Sequence, residues 1–359
     1  MSSVQIKRVE TKKDLKAFIE FHYDLYEGNP YDVPNLYSDE WNTLSKDKNA
    51  AFDFCEAEYF LALKDGKVVG RVAAIINHKA NKQWDTKAVR FGWIDFIDDI
   101  EVSRALLDAV GNYGKAHGMD NIIGPLGFTD MDPEGMLTDG FDQLGTMATL
   151  YNYPYYPRHM QELGGWEKDN DYVEYKLIVP KEMPEKYMKV AQMIEKRYDL
   201  HVRAMTRREI FKDGYGHKVF EVINETFKHL YGYSELSDRQ IDQYVKMYLP
   251  FVDLNWVPIV EDWSVTPHKL VGVGITIPSL SRALQKLHRG RLWPFGWWDM
   301  LRVLKFHKTK IVDLLLIGVL PEYRVKGANA LLFSHLIPIY QKYGIEWGET
   351  HVEMETNGK

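Results

Sequence analysis

Ile311-Val-Asp-Leu-Leu-Leu-Ile-Gly-Val-Leu-Pro-Glu-Tyr-Arg-Val-Lys-Gly-Ala-Asn-Ala-Leu-Leu332 is the stretch that decides the fold of this 359-residue chain. It reads as a buried strand, a tight turn and then a helix opening on Arg324-x-x-Gly327. A helix whose first turn is stripped of bulk presents unpaired N–H groups and the positive end of its dipole, which suits a pyrophosphate. Two familiar phosphate devices are excluded. No G-x-G-x-x-G follows a strand, and no G-x-x-x-x-G-K-[ST] occurs anywhere.

The residues Val319-Leu-Pro321-Glu-Tyr323-Arg324-Val-Lys-Gly327-Ala-Asn329 resemble the acyl-CoA loop of the GNAT superfamily of N-acyltransferases. There a strand ends in Val-x-Pro-x-Tyr-Arg and continues as [RQ]-x-x-G-x-[GA]. Asn329 departs from that pattern, standing where it has a small residue. The resemblance implies coenzyme A or acyl-CoA as co-substrate, with its phosphates on Arg324, Val325, Lys326, Gly327, Ala328 and Asn329. It also implies that a backbone N–H near Gly318 or Val319 polarises the thioester carbonyl.

A repeat carries the domain argument. Strand Val4–Val9, helix Lys12–Tyr26 and the hairpin Tyr59–Ile75 recur about 200 residues later as His201–Ile210, Gly216–Tyr231 and Asn255–Ile277. Each half then adds a strand and a helix, Phe91–Phe96 with Ile100–His117 and Ile311–Val319 with Val325–Tyr343. That order matches two tandem GNAT-like α/β domains, each a mixed sheet flanked by helices. The expected division is 1–180, a linker helix at 181–198, and 199–359 with an insertion at 279–310. After a strand at Glu346–Glu355 the chain stops at Lys359, so the second sheet is either cut short or completed by another segment.

The first half's equivalent turn, Ile97-Asp98-Asp99-Ile100-Glu101, holds no glycine and three carboxylates. They suit a helix N-terminus but repel a pyrophosphate. The expectation is therefore CoA on the second domain and the amine side of the cleft on the first.

A wider resemblance rests on Gly124-Pro-Leu-Gly, Gly140-Phe-Asp142, Tyr151-Asn-Tyr-Pro-Tyr-Tyr156 and Arg291-Leu-Trp-Pro-Phe-Gly296. It is to a little-characterised bacterial group that includes ceramide-synthase-like N-acyltransferases, and it implies a sphingoid or other lipid amine as acceptor.

Composition limits the alternatives. The chain is 45% hydrophobic and 27% charged, as a globular protein is. Its net charge of −6 argues against nucleic-acid binding. Cys55 is the lone cysteine, in keeping with a reducing cytosol. No signal peptide opens the chain and no apolar run is long enough to span a membrane, so a cytoplasmic, at most peripheral protein is expected.

Residues 279–310 hold eight Lys/Arg against Asp299, a net +7 that leaves −13 elsewhere. They read as two basic amphipathic helices, one with Leu280, Leu284 and Leu287 on one face, the other with Trp297, Leu301 and Leu304 opposite its cations. Such a pair suits a membrane interface; docking of an acidic acyl carrier protein, or plain packing onto the domain, remain open.

For proton transfer the candidates are Glu322 beside the phosphate loop, Glu134 in the acid-rich loop 130–142, and Tyr156. Tyr155 and Tyr156 could protonate a leaving thiolate, or be core. Asp130-x-Asp132-x-Glu134 is not a calcium loop, because Pro133 intrudes and position twelve is Phe141. No histidine or cysteine spacing suggests a metal or a thiol nucleophile. The leading reading is an acyl-CoA-dependent N-acyltransferase. The alternatives are a small-molecule or peptide N-acetyltransferase and a non-catalytic acyl-CoA-binding or scaffold protein.

Overall fold

Val72, Ala73, Ala74, Ile75 and Ile76 are all 0% exposed. A strand buried on both faces needs helices on both. In the computed structural model, which describes residues 3–355, Lys67–Asn77 is that strand. Val72, Ala74 and Ile76 meet Val102, Leu106 and Val110 of the helix Ile100–Ala116. Ala73 and Ile75 belong to the opposite cluster, with Phe18 and Ile19 of the helix Lys12–Leu25. Thr11 starts that helix by a reciprocal cap: its hydroxyl accepts the Asp14 N–H at 3.1 Å and the Asp14 carboxylate accepts the Thr11 N–H at 3.1 Å.

The chain divides into two units, one running to Tyr172 and including Ser281–Trp297, the other made of Val173–Leu280 and the chain from Trp298 onward. The first unit's sheet runs Gln5–Arg8, Cys55–Lys64, Lys67–Asn77, Ala88–Phe96, Asn121–Ile123. Only the last pair is parallel. In the second unit the order is Lys176–Ile178, Trp347–Thr350, Ile311–Val319, Lys269–Pro278, Pro258–Asp262, Leu200–Ala204. Its one parallel pair is Ile311–Val319 with Trp347–Thr350. The same topology thus occurs twice.

Lys176–Ile178 settles how the second sheet is bordered. It lies antiparallel on Trp347–Thr350, with Ile178 opposite Trp347, so another segment of the chain borders that edge. The strand read across His201–Ile210 is shorter, Leu200–Ala204, because Thr206 caps a new helix at Arg207–Phe211. Its hydroxyl accepts the Glu209 N–H at 3.2 Å, and the Glu209 carboxylate accepts the Thr206 N–H at 2.7 Å. The linker helix is Glu185–Tyr198 and sits within the second unit.

The basic segment departs most from its reading. Ser281–Leu284 is a single turn, not an amphipathic helix. Leu280, Leu284 and Leu287 are buried in the protein rather than offered to a membrane, and Ser281–Trp297 groups with the first unit rather than the second. Arg291 donates to Glu20 at 2.8 Å, and Arg289 pairs with Asp24. Gln285 donates to the Pro30 and Asp32 carbonyls, each at 2.9 Å. Two of the eight cations are therefore neutralised inside that unit. The helix Gly296–Leu304 does form, but it buries Met300 and Val303 instead of Leu301 and Leu304. Among the described residues no helix is long and apolar enough to cross a membrane.

Asp313 is the anomaly of the second sheet. It is 1% exposed, faces Glu349 across the parallel pair, and neither carboxylate oxygen has a hydrogen-bond partner. Burial pushes its carboxyl up to about 7; Ser279 draws it partway back, and the Glu349 charge adds to the rise. A folded-state value above the unfolded one means stability that is full at acid pH and falls as pH rises to about 7. Asp313→Asn should accordingly raise the melting temperature more at pH 8 than at pH 5. An equal change at both pH values would show that Asp313 does not titrate in that window.

Candidate functional site

In the second unit the site begins where two strands part. Ile311–Val319 pairs with Trp347–Thr350 only as far as Leu314 opposite Thr350. Its other edge stays paired to Lys269–Pro278 up to Val319 opposite Gly272, with Leu315 as one extra residue between Leu314 and Leu316. Such a bulge reverses which backbone groups face which edge. Past it, the Leu320 N–H donates to the Val271 carbonyl at 2.9 Å, so alternation turns Ile317 and Val319 toward the open edge. Of the two residues read as polarising a carbonyl, Val319 has its N–H on that edge. Gly318 instead faces the helix Tyr215–Phe227, where a Cβ would lie 3.0 Å from Ile223 and 3.4 Å from the Thr226 hydroxyl.

The loop follows directly. Pro321–Arg324 forms a single turn, anchored by the Tyr323 hydroxyl on Asp262 at 2.8 Å and by the Arg324 Nε on the Val319 carbonyl at 2.9 Å. The helix then begins at Ala328, three residues later than read, and runs to Lys342. Gly327 caps it at φ +82°, a conformation that favours glycine, and a Cβ there would meet Ile194 at 2.8 Å. The Lys326 and Gly327 N–H groups bond back to Tyr323 and Arg324 within the turn. Ala328 and Asn329 are left as the open first turn of the helix. Asn329 and Val325 are exposed, whereas Ala328 is buried. Around them lie Arg324 and Lys326, the latter with its Nζ 4.3 Å from the Tyr323 ring centre.

Glu322 is exposed on this turn and pairs with Lys269 at 3.2 Å. Its own N–H, then Lys269, hold its carboxyl below the usual range. That makes it a weak base.

The first unit repeats the bulge but not the loop. Trp93 and Ile94 both stand opposite Val72, and Trp93 has φ +46°. At the turn beyond, Asp98 pairs with Arg158 and with His159 Nε2 at 2.9 Å. Asp99 accepts the Glu101 N–H at 3.1 Å and pairs with Lys64 at 2.6 Å. Carboxylates with their own cations fill the place a pyrophosphate would take.

Next to that bulge the first unit holds a partly open cavity of about 90 Å³. One wall is charged. Asp95 receives Arg71 through Nε at 2.8 Å and Nη2 at 2.7 Å, and contacts His22 Nδ1 at 3.1 Å. His22 Nε2 in turn lies 3.5 Å from Asp32. Burial opposes a charged imidazole here, but Asp32 and Asp95 outweigh it and push His22 up to about 10. Glu40 accepts from Asn35 at 2.9 Å and from the Trp93 indole at 3.0 Å. Ile19, Val33, Met136 and Leu150 form the apolar side.

Tyr156 lines this cavity and is 1% exposed. Its hydroxyl accepts the Phe96 N–H at 3.1 Å and donates to Asp95 at 3.1 Å. Burial, then Asp95, raise its pKa well above the ordinary phenol value, so it holds Asp95 in place and gives up no proton near neutrality. Glu134 is half-buried in the same unit. Desolvation and then Asp130 push it up to about 8, with Arg90 opposing. The three proton-transfer candidates do not form one cluster: Glu322 belongs to the second unit, Glu134 and Tyr156 to the first.

His22, Asp32, Glu40, Arg71 and Asp95 escaped the sequence reading, since they come from five separate elements with no motif. One signal was available: Arg71 and Asp95 are opposite charges inside two apolar strands, where an unpaired charge would be prohibitive.

No family model matches the chain. Protein YghO of Escherichia coli (strain K12) is 28% identical over 329 residues, 91% of this chain and 81% of that protein. The bacterial ceramide synthase of Caulobacter vibrioides is 24% identical over 362 residues, 94% of this chain and 88% of that one. Among solved structures, the tandem GNAT protein from the clavulanic acid biosynthesis pathway superposes with a TM-score of 0.53 at 12% identity, over 99% of this chain and 91% of that chain. A GCN5-related glucosamine N-acetyltransferase region of a fungal multi-domain β-N-acetylglucosaminidase gives 0.54 at 13% identity over 98% of this chain, which spans 36% of that larger one. The fold is that of tandem GNAT proteins.

Proposed function

We propose that this chain is an N-acyltransferase that moves an acyl group from coenzyme A to a primary amine. The amine nitrogen attacks the thioester carbonyl carbon, the C–N bond forms as the C–S bond breaks, and the thiolate takes up a proton as it leaves. A base must accept the proton that frees the amine. The observation that carries this reading is the open edge at Val319 running straight into the Gly327-capped loop. It offers an N–H for the developing oxyanion and a helix N-terminus for phosphate from one continuous segment. Of the three proton-handling candidates, Glu134 has the proton affinity that suits a base near neutral pH.

The donor is read as long-chain acyl-CoA and the acceptor as a sphingoid or other lipid amine. The relative named a ceramide synthase, matched over 88% of its length, supports that choice. Asn329→Glu tests the donor site cleanly, because a Glu in a first helical turn favours the helix while repelling phosphate. Palmitoyl-CoA affinity measured by calorimetry should fall more than about tenfold, with the apo melting temperature unchanged or higher. Unaltered affinity would remove the loop as the CoA site, and equal affinity for acetyl-CoA in the wild type would favour a short-chain acetyltransferase.

The reading extends to an anionic lipid surface. Trp293 is 80% exposed and Phe295 is 82% exposed on a turn followed by Arg302, Lys305 and Lys308. Exposed aromatics suit a bilayer interface, and cations that follow them along the chain suit its anionic head groups. The full chain should co-sediment with phosphatidylglycerol vesicles but not with phosphatidylcholine vesicles, and Trp293→Ser with Phe295→Ser should lower the bound fraction by more than half. Equal binding to both vesicle types, or to neither, would contradict it.

A further inference from the structure

We propose that the cavity of the first unit is a binding site for a protonated primary amine on a slender apolar stem. Three carboxylates line it, Asp32, Glu40 and Asp95, and all are more than nine-tenths buried. The cations that line it are Arg71 and protonated His22. Asp95 takes the full Arg71 fork and shares His22. Among the described residues Glu40 meets neutral donors, the Asn35 amide and the Trp93 indole. Asp32 has His22 Nε2 at 3.5 Å, longer than a good hydrogen bond, and among the described residues its second oxygen has no partner.

The wall is therefore short of one positive charge. A buried carboxylate without a cation is costly, and a cation entering the cavity removes that cost. An ammonium is the fitting group: three donors at its end can reach Asp32 and Glu40 together. The size sets the rest. About 90 Å³ takes roughly three water-sized groups, enough for an amine head and the first carbons of its stem and too small for CoA. Ile19, Val33, Met136 and Leu150 face that stem with carbon, so a fully hydroxylated sugar amine would leave its hydroxyls unpaired.

This site shares no residue with the phosphate loop, and the acid-rich stretch read from sequence borders it through Pro133, Gly135 and Met136 rather than through Glu134. Calling the amine the acyl acceptor rests on the acyltransferase reading; binding of the amine does not.

The test is calorimetry on the full chain without any acyl-CoA, using 2-aminohexan-1-ol as probe and hexane-1,2-diol as its uncharged counterpart. The amine should bind at least about tenfold more tightly than the diol, the worth of one charge-assisted contact. Asp32→Asn and Glu40→Gln should each weaken it by a similar factor. Met136→Phe, which fills the apolar side and leaves every charge in place, should abolish it, so the outcome does not hang on a charge variant that fails to fold. Equal binding of amine and diol, amine binding unchanged in Met136→Phe, or no amine binding at millimolar concentration would each overturn the proposal. Loss of CoA binding with amine binding intact would instead count against the acyltransferase reading alone.

Discussion

Pairing between Ile311–Val319 and Trp347–Thr350 stops at Leu314, one residue before the bulge at Leu315, and the rest of the second unit's site follows from that interruption. A strand paired on both edges has no backbone group to offer a ligand. Here the bulge reverses the alternation, so Val319 faces an edge that has lost its neighbour, and the chain enters a glycine-capped helix within ten residues. The first unit breaks its ladder at the matching place, opposite Val72, and opens a cavity there. One backbone device, used twice, carries two chemistries. In the second unit the turn beyond it is bordered by Arg324 and Lys326; in the first it is occupied by Asp98 and Asp99 with their cations.

Buried charge differs between the units in the same way. Arg71, Asp95, His22 and Asp32 form a chain in which each group lies near one of opposite sign, and the tyrosine hydroxyls at positions 26 and 156 fix Asp95 from the other side. That arrangement holds charge in place at modest cost and leaves Asp32 incompletely matched. Asp313 has no such support, and desolvation answers by raising its proton affinity.

Much of this was legible in the sequence where the signal is local. The strand, turn and glycine of 311–332 need no distant partner to be recognised, and the duplicated order of elements follows from periodicity. A strand ending before Pro180 is legible, but its place in the second sheet is not, because its partner Trp347–Thr350 lies far along the chain. Residues 281–297 were assigned to the wrong side because their anchors, Glu20, Asp24 and the carbonyls of Pro30 and Asp32, lie more than 250 positions away. The cavity fails for the same reason, being assembled from residues that mean nothing singly. Glu322, prominent beside the loop, proves a weak base because its own N–H, and then Lys269, hold its carboxyl low.

The most direct measurement is the product. The purified chain, palmitoyl-CoA and sphinganine would be incubated together, with free thiol titrated and the lipid fraction examined by mass spectrometry. The account predicts one N-acylated amide for each thiol released, and no thiol release when the amine is left out. Thiol released without amide, or palmitoyl-CoA bound and unchanged in the presence of a panel of primary amines, would contradict it.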